Sequence, residues 1–423
     1  MFAESGQTVR HDLAGTFADN LSLPVHRWFR YSAGFSALWV RHLLEQEKAE
    51  GRTRVLDPFV GSGTVLLEGE LCGVEAVGVE AHPFVARVAR AKLHWNEHPD
   101  EFREYASRVA ERAKRLRAEI HAYPPLIRKC FPEETLSRLD ALRRSWGESA
   151  DGSPLSELTW LALASILREC SPVGTAQWQY VLPNKTKANA LDPCLAFAAR
   201  IRLMSSDMAE RRAVCDGPRP RICQEDARGC PSIPEGWAQL VVTSPPYANN
   251  YDYADATRLE MSFFGEIQGW GDLQEAVRAR LIRSCTQHVA RLPCHEVSSI
   301  LNDENLAPIQ SELVTIYEAL ASERESHGGK KPYHYMVACY FSDLAKVWRA
   351  LRRVTASGAL VCFVVGDSAP YGIHVPVERW LGELAINAGF CSYTFEKLRD
   401  RNIKWKNRKH RVPLLEGRLW VKG

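Results

Sequence analysis

The chain has 423 residues, 45% hydrophobic and 25% charged, a balance that fits a folded globular protein and excludes a disordered or fibrous one. Lys and Arg total 54 against 51 acidic residues, so a net charge of +3 does not by itself call for a polyanionic partner. Residues 1–10 lack the apolar stretch of a signal peptide, no apolar run approaches the ~20 residues of a membrane span, and twelve cysteines are scattered without a CxxC pair. These features predict a cytoplasmic protein with reduced thiols and no membrane partner. Cys215, Cys223 and Cys230 lie fairly close in sequence, but not at zinc-site spacing, so no metal is expected.

Short apolar runs recur along the chain with helical segments between them. The first, 53–56, leads into a glycine-rich turn and a helical stretch through Leu71. The run 76–79 ends in Glu80, 221–223 leads to Asp226, and 238–242 leads to Thr243-Ser244-Pro245-Pro246-Tyr247. The run 359–365 is the longest and ends at Gly366-Asp367; 391–395 and 418–421 follow with no helix between them. Buried strands alternating with helices predict a mostly parallel sheet covered on both faces, with an antiparallel pair at one edge. Two stretches break the rhythm. From about 96 to 220, helices are expected at 101–120, 158–170 and 194–208, with an aromatic and then basic segment, 178–187, among them. From about 265 to 331 the chain reads as helical and polar.

The glycine turn carries the first chemistry. A strand ending in Asp57, followed by Phe59, Gly61, Gly63 and Thr64 at the start of a helix, brings backbone close to a ligand at the carboxyl edge of the sheet. Glu80, at the end of the next strand, is placed to accept both hydroxyls of a ribose, and Asp226 to accept from an adenine amino group. A dinucleotide site is the nearer rival, but a third glycine is missing and Asp57 would repel a pyrophosphate. The same acid would attract the ammonium of S-adenosylmethionine. The segment 243–247 carries the second chemistry: a hydroxyl, two residues without amide hydrogens and an aromatic ring at a strand mouth suit a flat substrate with an exocyclic amino group.

Asp57-Pro58-Phe59-Val60-Gly61-Ser62-Gly63-Thr64 together with Thr243-Ser244-Pro245-Pro246-Tyr247 resembles the signature pair of the DNA amino-methyltransferases, most of all the N4-cytosine-specific members with the Ser-Pro-Pro-Tyr motif. Tyr31-Ser32-Ala33-Gly34-Phe35-Ser36 is similar to the family segment that packs over the methionine end of the cofactor, and Val364-Val365-Gly366-Asp367-Ser368 to one of its later strands. The resemblance covers about two thirds of the chain. It implies an α/β, Rossmann-like class I methyltransferase fold: a mostly parallel seven-stranded sheet with an antiparallel edge, plus two mainly helical insertions. On that reading residues 20–95, 221–264 and 332–423 form the catalytic core, 96–220 is the insertion that recognises the target, and 265–331 is the second insertion.

The resemblance also implies an enzyme acting site-specifically on double-stranded DNA in restriction–modification, beside a cognate endonuclease acting on the same site. Tyr31, Phe35, Asp57, Phe59, Gly61, Gly63, Thr64, Glu80 and Asp226 would bind S-adenosylmethionine. Ser244, Pro245, Pro246 and Tyr247 would form the catalytic set, in which Ser244 Oγ and the Pro245 carbonyl would accept the amino hydrogens of a flipped base and Tyr247 would stack on it. Cytosine C5 chemistry would need a cysteine after prolines, and neither Pro193-Cys194 nor Pro293-Cys294 follows an expected strand. Serine ahead of the two prolines favours cytosine N4 over adenine N6; an RNA amino-methyltransferase is the more distant alternative, and a non-enzymatic DNA-binding subunit is disfavoured by two intact motifs. The basic run from Lys397 to Arg411, with Arg401, Lys404, Trp405, Lys406, Arg408 and Lys409, would follow phosphates and stack on a base.

Overall fold

Val55 and Leu56 are adjacent in sequence and both fully buried, which requires apolar cover on both sides of their strand. A computed structural model, which describes residues 18–31, 34–176, 180–187, 189–401 and 412–423, supplies that cover. The strands are β1 (Arg54–Asp57), β2 (Glu75–Val79), β3 (Val173–Thr175), β4 (Val181–Thr186), β5 (Arg221–Cys223), β6 (Ala238–Thr243), β7 (Thr355–Gly366), β8 (Ser392–Arg401) and β9 (Leu414–Lys422). Seven of them form one sheet in the order β5-β2-β1-β6-β7-β9-β8. β5 through β7 run parallel, and β9 is antiparallel to both of its neighbours. This is the Rossmann-like α/β sheet of the class I methyltransferases, with the expected antiparallel edge.

Side-chain alternation divides the interior into two cores. Val55, Ala76, Leu240 and Val242 face helices Ala37–Ala49, Thr64–Leu71, Pro83–Leu93 and Pro154–Cys170. Leu56, Val77, Val241, Val361 and Phe363 face helices Tyr333–Val354 and Val377–Asn387. The strand order reverses between β1 and β6. Successive strands are added outward from β1 on one side, and the chain then returns to β6 on the other. A crevice opens at such a switch point, beyond the carboxyl ends of the two strands.

Several elements differ from the sequence expectation. The helix expected over 101–120 spans Pro99–Ala113. The buried carboxylate of Asp140, on helix Glu133–Ser149, accepts from the Glu119 amide at 2.7 Å and from Tyr123 Oη at 2.9 Å, drawing the chain out of helical geometry. Arg103 and Arg108 on the helix pair with Asp100 and Glu104 on its solvated face. Part of the aromatic and basic stretch becomes β4, paired antiparallel with β3 in a separate two-stranded unit. β7, β8 and β9 are longer than their apolar runs, because ladder pairing carries them on into polar sequence.

Gly78 shows how closely the sheet supports the glycine turn: a Cβ there would lie 2.1 Å from Val60 Cγ2 and 3.2 Å from both Leu66 methyl groups. Val60 belongs to the turn, and a β-branched side chain has little freedom to yield. Gly78→Ala is expected to destabilise the protein by roughly 1–3 kcal/mol in thermal denaturation, with part of the loss recovered by adding Val60→Ala. An unchanged melting temperature in the single variant would refute this packing account.

Candidate active site

Asp57 is the last residue of β1 and is buried. Its Oδ1 accepts from the Phe59 amide at 3.0 Å and from Thr243 Oγ1 at 2.6 Å, so one oxygen links the strand end, the glycine turn and the end of β6. Gly61 and Gly63 take φ values of 55° and 92°, a region that glycine enters without a Cβ penalty. The ring of Tyr31 lies against Gly61, where a Cβ would come within 3.1 Å of Tyr31 Cε1. Glu80 follows β2; its Oε2 accepts from the Gly61 amide at 2.9 Å and its Oε1 from the His82 amide at 2.8 Å. Thr64 opens the buried helix Thr64–Leu71, and Phe59 packs against the second core.

Burial dominates the electrostatics of both acids. It pushes Asp57 up from its ordinary 3.8 to about 7 against the hydrogen bonds from Thr243 and Phe59. It pushes Glu80 up from 4.5 to about 7 against bonds from the His82 and Gly61 amides, with the neighbouring Asp57 adding to the rise. Burial also raises the Tyr31 phenol well above 10, and the Glu80 charge adds to it. A buried and a half-buried carboxyl, neither with a cationic partner among the described residues, would gain from a ligand that brings an ammonium and hydroxyl donors.

The tetrapeptide leaves β6 beside this turn. Ser244 Oγ donates to the Val364 carbonyl of β7 at 3.1 Å, which leaves the oxygen lone pairs available to accept. Pro245 is buried, while Pro246 and Tyr247 are partly so. The guanidinium of Arg401 lies 5.1 Å from the Tyr247 ring centroid. It is held there by a 2.9 Å bond to the Asp367 carbonyl and by Glu416 at 3.4 Å. Gly366 makes room, since a Cβ there would lie 2.7 Å from Arg401 Nη1. Burial raises the Tyr247 phenol, and Glu416 adds to the rise while Arg401 opposes it.

The structure brings together Tyr31, Asp57, Gly61, Glu80, Thr243 and Ser244 through these contacts. Phe35 is buried against Trp39, with ring centroids 5.7 Å apart and edge-on. Asp226 has its carboxylate taken up by Arg228, whose Nε reaches both oxygens at 3.0 and 2.8 Å and whose Nη2 lies 2.6 Å from Oδ2. Arg401, expected among the phosphate-binding residues, points onto Tyr247. Lys404, Trp405, Lys406, Arg408 and Lys409 lie outside the described residues. Thr243 and the Val364 carbonyl were not among the expected site residues. Thr243 stood in the motif itself, whereas the carbonyl leaves no trace in a side-chain pattern.

No family model and no solved structure matches the chain. Curated relatives do. Type II methyltransferase M.AvaI of Nostoc sp. is 25% identical over 418 residues, 89% of this chain and 81% of its own. Type II methyltransferase M.BsoBI of Geobacillus stearothermophilus is 25% identical over 460 residues, 96% of this chain and 87% of its own. The chain is similar to Type II methyltransferases over most of its length. No described helix is long and apolar enough to cross a membrane.

The raised carboxyls predict a pH dependence. Between the ordinary value near 4 and about 7, the unfolded chain ionises Asp57 while the folded chain keeps its proton, so this group's contribution to stability falls as pH rises and levels off above 7. Relative to the ligand-free wild type, Asp57→Asn is expected to gain stability in urea denaturation from pH 5 to 7 and to keep a constant advantage at pH 8. A difference that does not change with pH would contradict the assignment.

Proposed function

We propose that this chain is a site-specific DNA methyltransferase of a restriction–modification pair, transferring a methyl group from S-adenosylmethionine to the exocyclic N4 of cytosine in duplex DNA. The observation that carries the reading is the Thr243–Asp57 bond, which fixes the Ser-Pro-Pro-Tyr segment beside a glycine turn flanked by two carboxyls that have no cationic partner among the described residues. Similarity to two named Type II methyltransferases over about nine tenths of the chain supports it.

The residues fit the cofactor. Asp57 would meet its ammonium and Glu80 its ribose hydroxyls, each carboxylate being ionised by the ligand that neutralises it. Gly61 and Gly63 let the backbone approach, Tyr31 covers the turn, and Phe59, Thr64, Phe35 and Asp226 complete the proposed set. When bound, the cofactor supplies an electrophilic methyl group on a sulfonium. An exocyclic amino nitrogen is a weak nucleophile because its lone pair is delocalised into the ring. Ser244 Oγ and the Pro245 carbonyl would accept its two hydrogens and favour the pyramidal form, whose lone pair is free. Tyr247, steadied by Arg401, would stack on the base and hold it in line. Duplex stacking hides such a base, so it must be flipped out, at a cost of a few kcal/mol.

Two parts of the chain suit the approach to DNA. The β3–β4 unit carries Lys185 and is joined to the catalytic loop, where the Asp252 amide donates to Tyr180 Oη at 2.7 Å. This supports target recognition by the segment 96–220. The run with Lys404, Trp405, Lys406, Arg408 and Lys409 is proposed to track the phosphate backbone.

Incubation with labelled S-adenosylmethionine and duplex DNA, single-stranded DNA or RNA, followed by digestion to nucleosides, tests the proposal. N4-methyldeoxycytidine from duplex DNA is expected. N6-methyldeoxyadenosine would correct the target base, and label in RNA alone or absent cofactor binding would overturn the reading. Ser244→Ala is expected to bind the cofactor as wild type does and to lose turnover by roughly two to four orders of magnitude, as for removal of a positioned polar catalytic group. Retained turnover would remove Ser244 from the mechanism.

A further inference from the structure

Residues 278–288 carry no recognisable motif, yet they wrap the loop that follows Tyr247. Asn250 in that loop has φ 65°, the left-handed region that asparagine enters more readily than other non-glycine residues. The Asn250 amide donates to the Ser284 carbonyl at 3.2 Å. Asn250 Oδ1 accepts from both the amide and Oγ1 of Thr286, at 2.8 and 2.7 Å. Two residues on, Asp252 Oδ2 accepts from Arg278 Nε at 3.1 Å and Nη2 at 2.7 Å, and Arg278 is itself stacked 4.2 Å from the Trp270 ring centroid. Asp252 Oδ1 caps the helix Tyr253–Ala256 through the Ala254 and Asp255 amides. From the opposite side Ser368 Oγ donates to the Ala248 carbonyl. The loop after Tyr247 is thus held at every second residue: at 248 by Ser368 just beyond β7, and at the backbone and side chain of 250 and the side chain of 252 by the segment 278–288.

We infer that residues 278–288 are a clamp on the catalytic loop, and that Asn250, with Thr286 and Arg278, is a positioning residue that sets the Tyr247 ring for a flipped base. The inference rests on the reading of Ser244–Tyr247 as the base-binding segment. Arg278, Thr286 and Asp252 are all buried and turned toward the loop, so they have no surface to offer a base edge in a groove. A metal is a poorer account of the same residues. Asp252, Cys285 and His288 bring donor atoms within 4.8 Å of one another, but both Asp252 oxygens are already engaged, one by the Arg278 guanidinium, whose charge would repel a cation. Geometry is what such a clamp supplies: a misplacement of about 1 Å at a reacting centre costs on the order of a hundredfold in rate.

Substitutions at 250 separate the clamp from backbone strain. Asn250→Asp keeps the Oδ1 acceptor that both Thr286 donors use, Asn250→Gly keeps the left-handed backbone and deletes the acceptor, and Asn250→Ala loses both. Each is measured for kcat and KM by label transfer from S-adenosylmethionine to unmethylated bacterial genomic DNA, for cofactor Kd by calorimetry, and for melting temperature. The expected result for Asn250→Gly is a kcat lower by roughly 10- to 100-fold, with cofactor Kd and melting temperature near those of wild type. Asn250→Asp is expected to restore most of that rate, and Thr286→Val, which keeps one of the two donors, to fall between. The clamp is overturned if Asn250→Gly keeps the wild-type kcat, if its rate falls only in step with stability and cofactor affinity, or if Asn250→Asp restores nothing. Wild-type protein that leaves DNA unlabelled would instead refute the methyltransferase reading, and the clamp's catalytic role with it.

Discussion

The 2.6 Å bond from Thr243 Oγ1 to Asp57 Oδ1 is the constraint on which the site depends. β1 and β6 are neighbours in the sheet although more than 180 residues separate them, and their parallel register, Val55 with Leu240 and Leu56 with Val241, brings their carboxyl ends level. Parallel strands can meet in this way only through a long crossover, which makes the two motifs distant in sequence and adjacent in space. The bond then ties the side chain that ends one strand to the side chain that ends the other. A shift of β6 by one residue would break it and would turn Leu240 and Val242 out of their core.

Buried carboxylates serve two different purposes in this molecule. Asp343 is pushed up by burial, but Arg283 and Arg228 hold it below its ordinary range, and it joins helix Tyr333–Val354 to two loops. Asp207 accepts from the Val25 amide, the Arg27 guanidinium and the Trp28 indole, fastening the first described turn to helix Pro193–Arg212. Such pairs are structural ties whose partners come from the chain itself. Among the described residues Asp57 and the half-buried Glu80 have only neutral donors, and they are left raised. This leaves the free protein an electrostatic cost that a cationic ligand would relieve.

What was legible in the sequence follows the distance over which each contact acts. β1, the glycine turn and Glu80 are local, and continuous apolar runs gave the central strands because helices cover both faces. The β3–β4 unit was missed because β3 has three residues and β4 runs polar through Pro183-Asn184-Lys185, with no alternating face to read. The Asn250–Thr286 and Asp252–Arg278 contacts span 36 and 26 residues between segments without apolar periodicity, so no local pattern announces them. Arg401 belonged to a run of positive charge that reads as a solvated or phosphate-facing loop. Glu416, across the β8–β9 ladder, pulls it inward.

The strand order has a consequence for the order of events on the ribosome. β8 hydrogen-bonds only to β9, and β9 alone joins it to the rest of the sheet. A nascent chain that has already emerged through β8 therefore has no place to dock that strand until β9 follows and slots between β7 and β8. Arg401 rides on β8, so its guanidinium reaches the Tyr247 ring only once β9 has joined β8 to the sheet. Until β9 is in place the Tyr247 ring therefore lacks its guanidinium, although the glycine turn and its two carboxyls lie in earlier sequence.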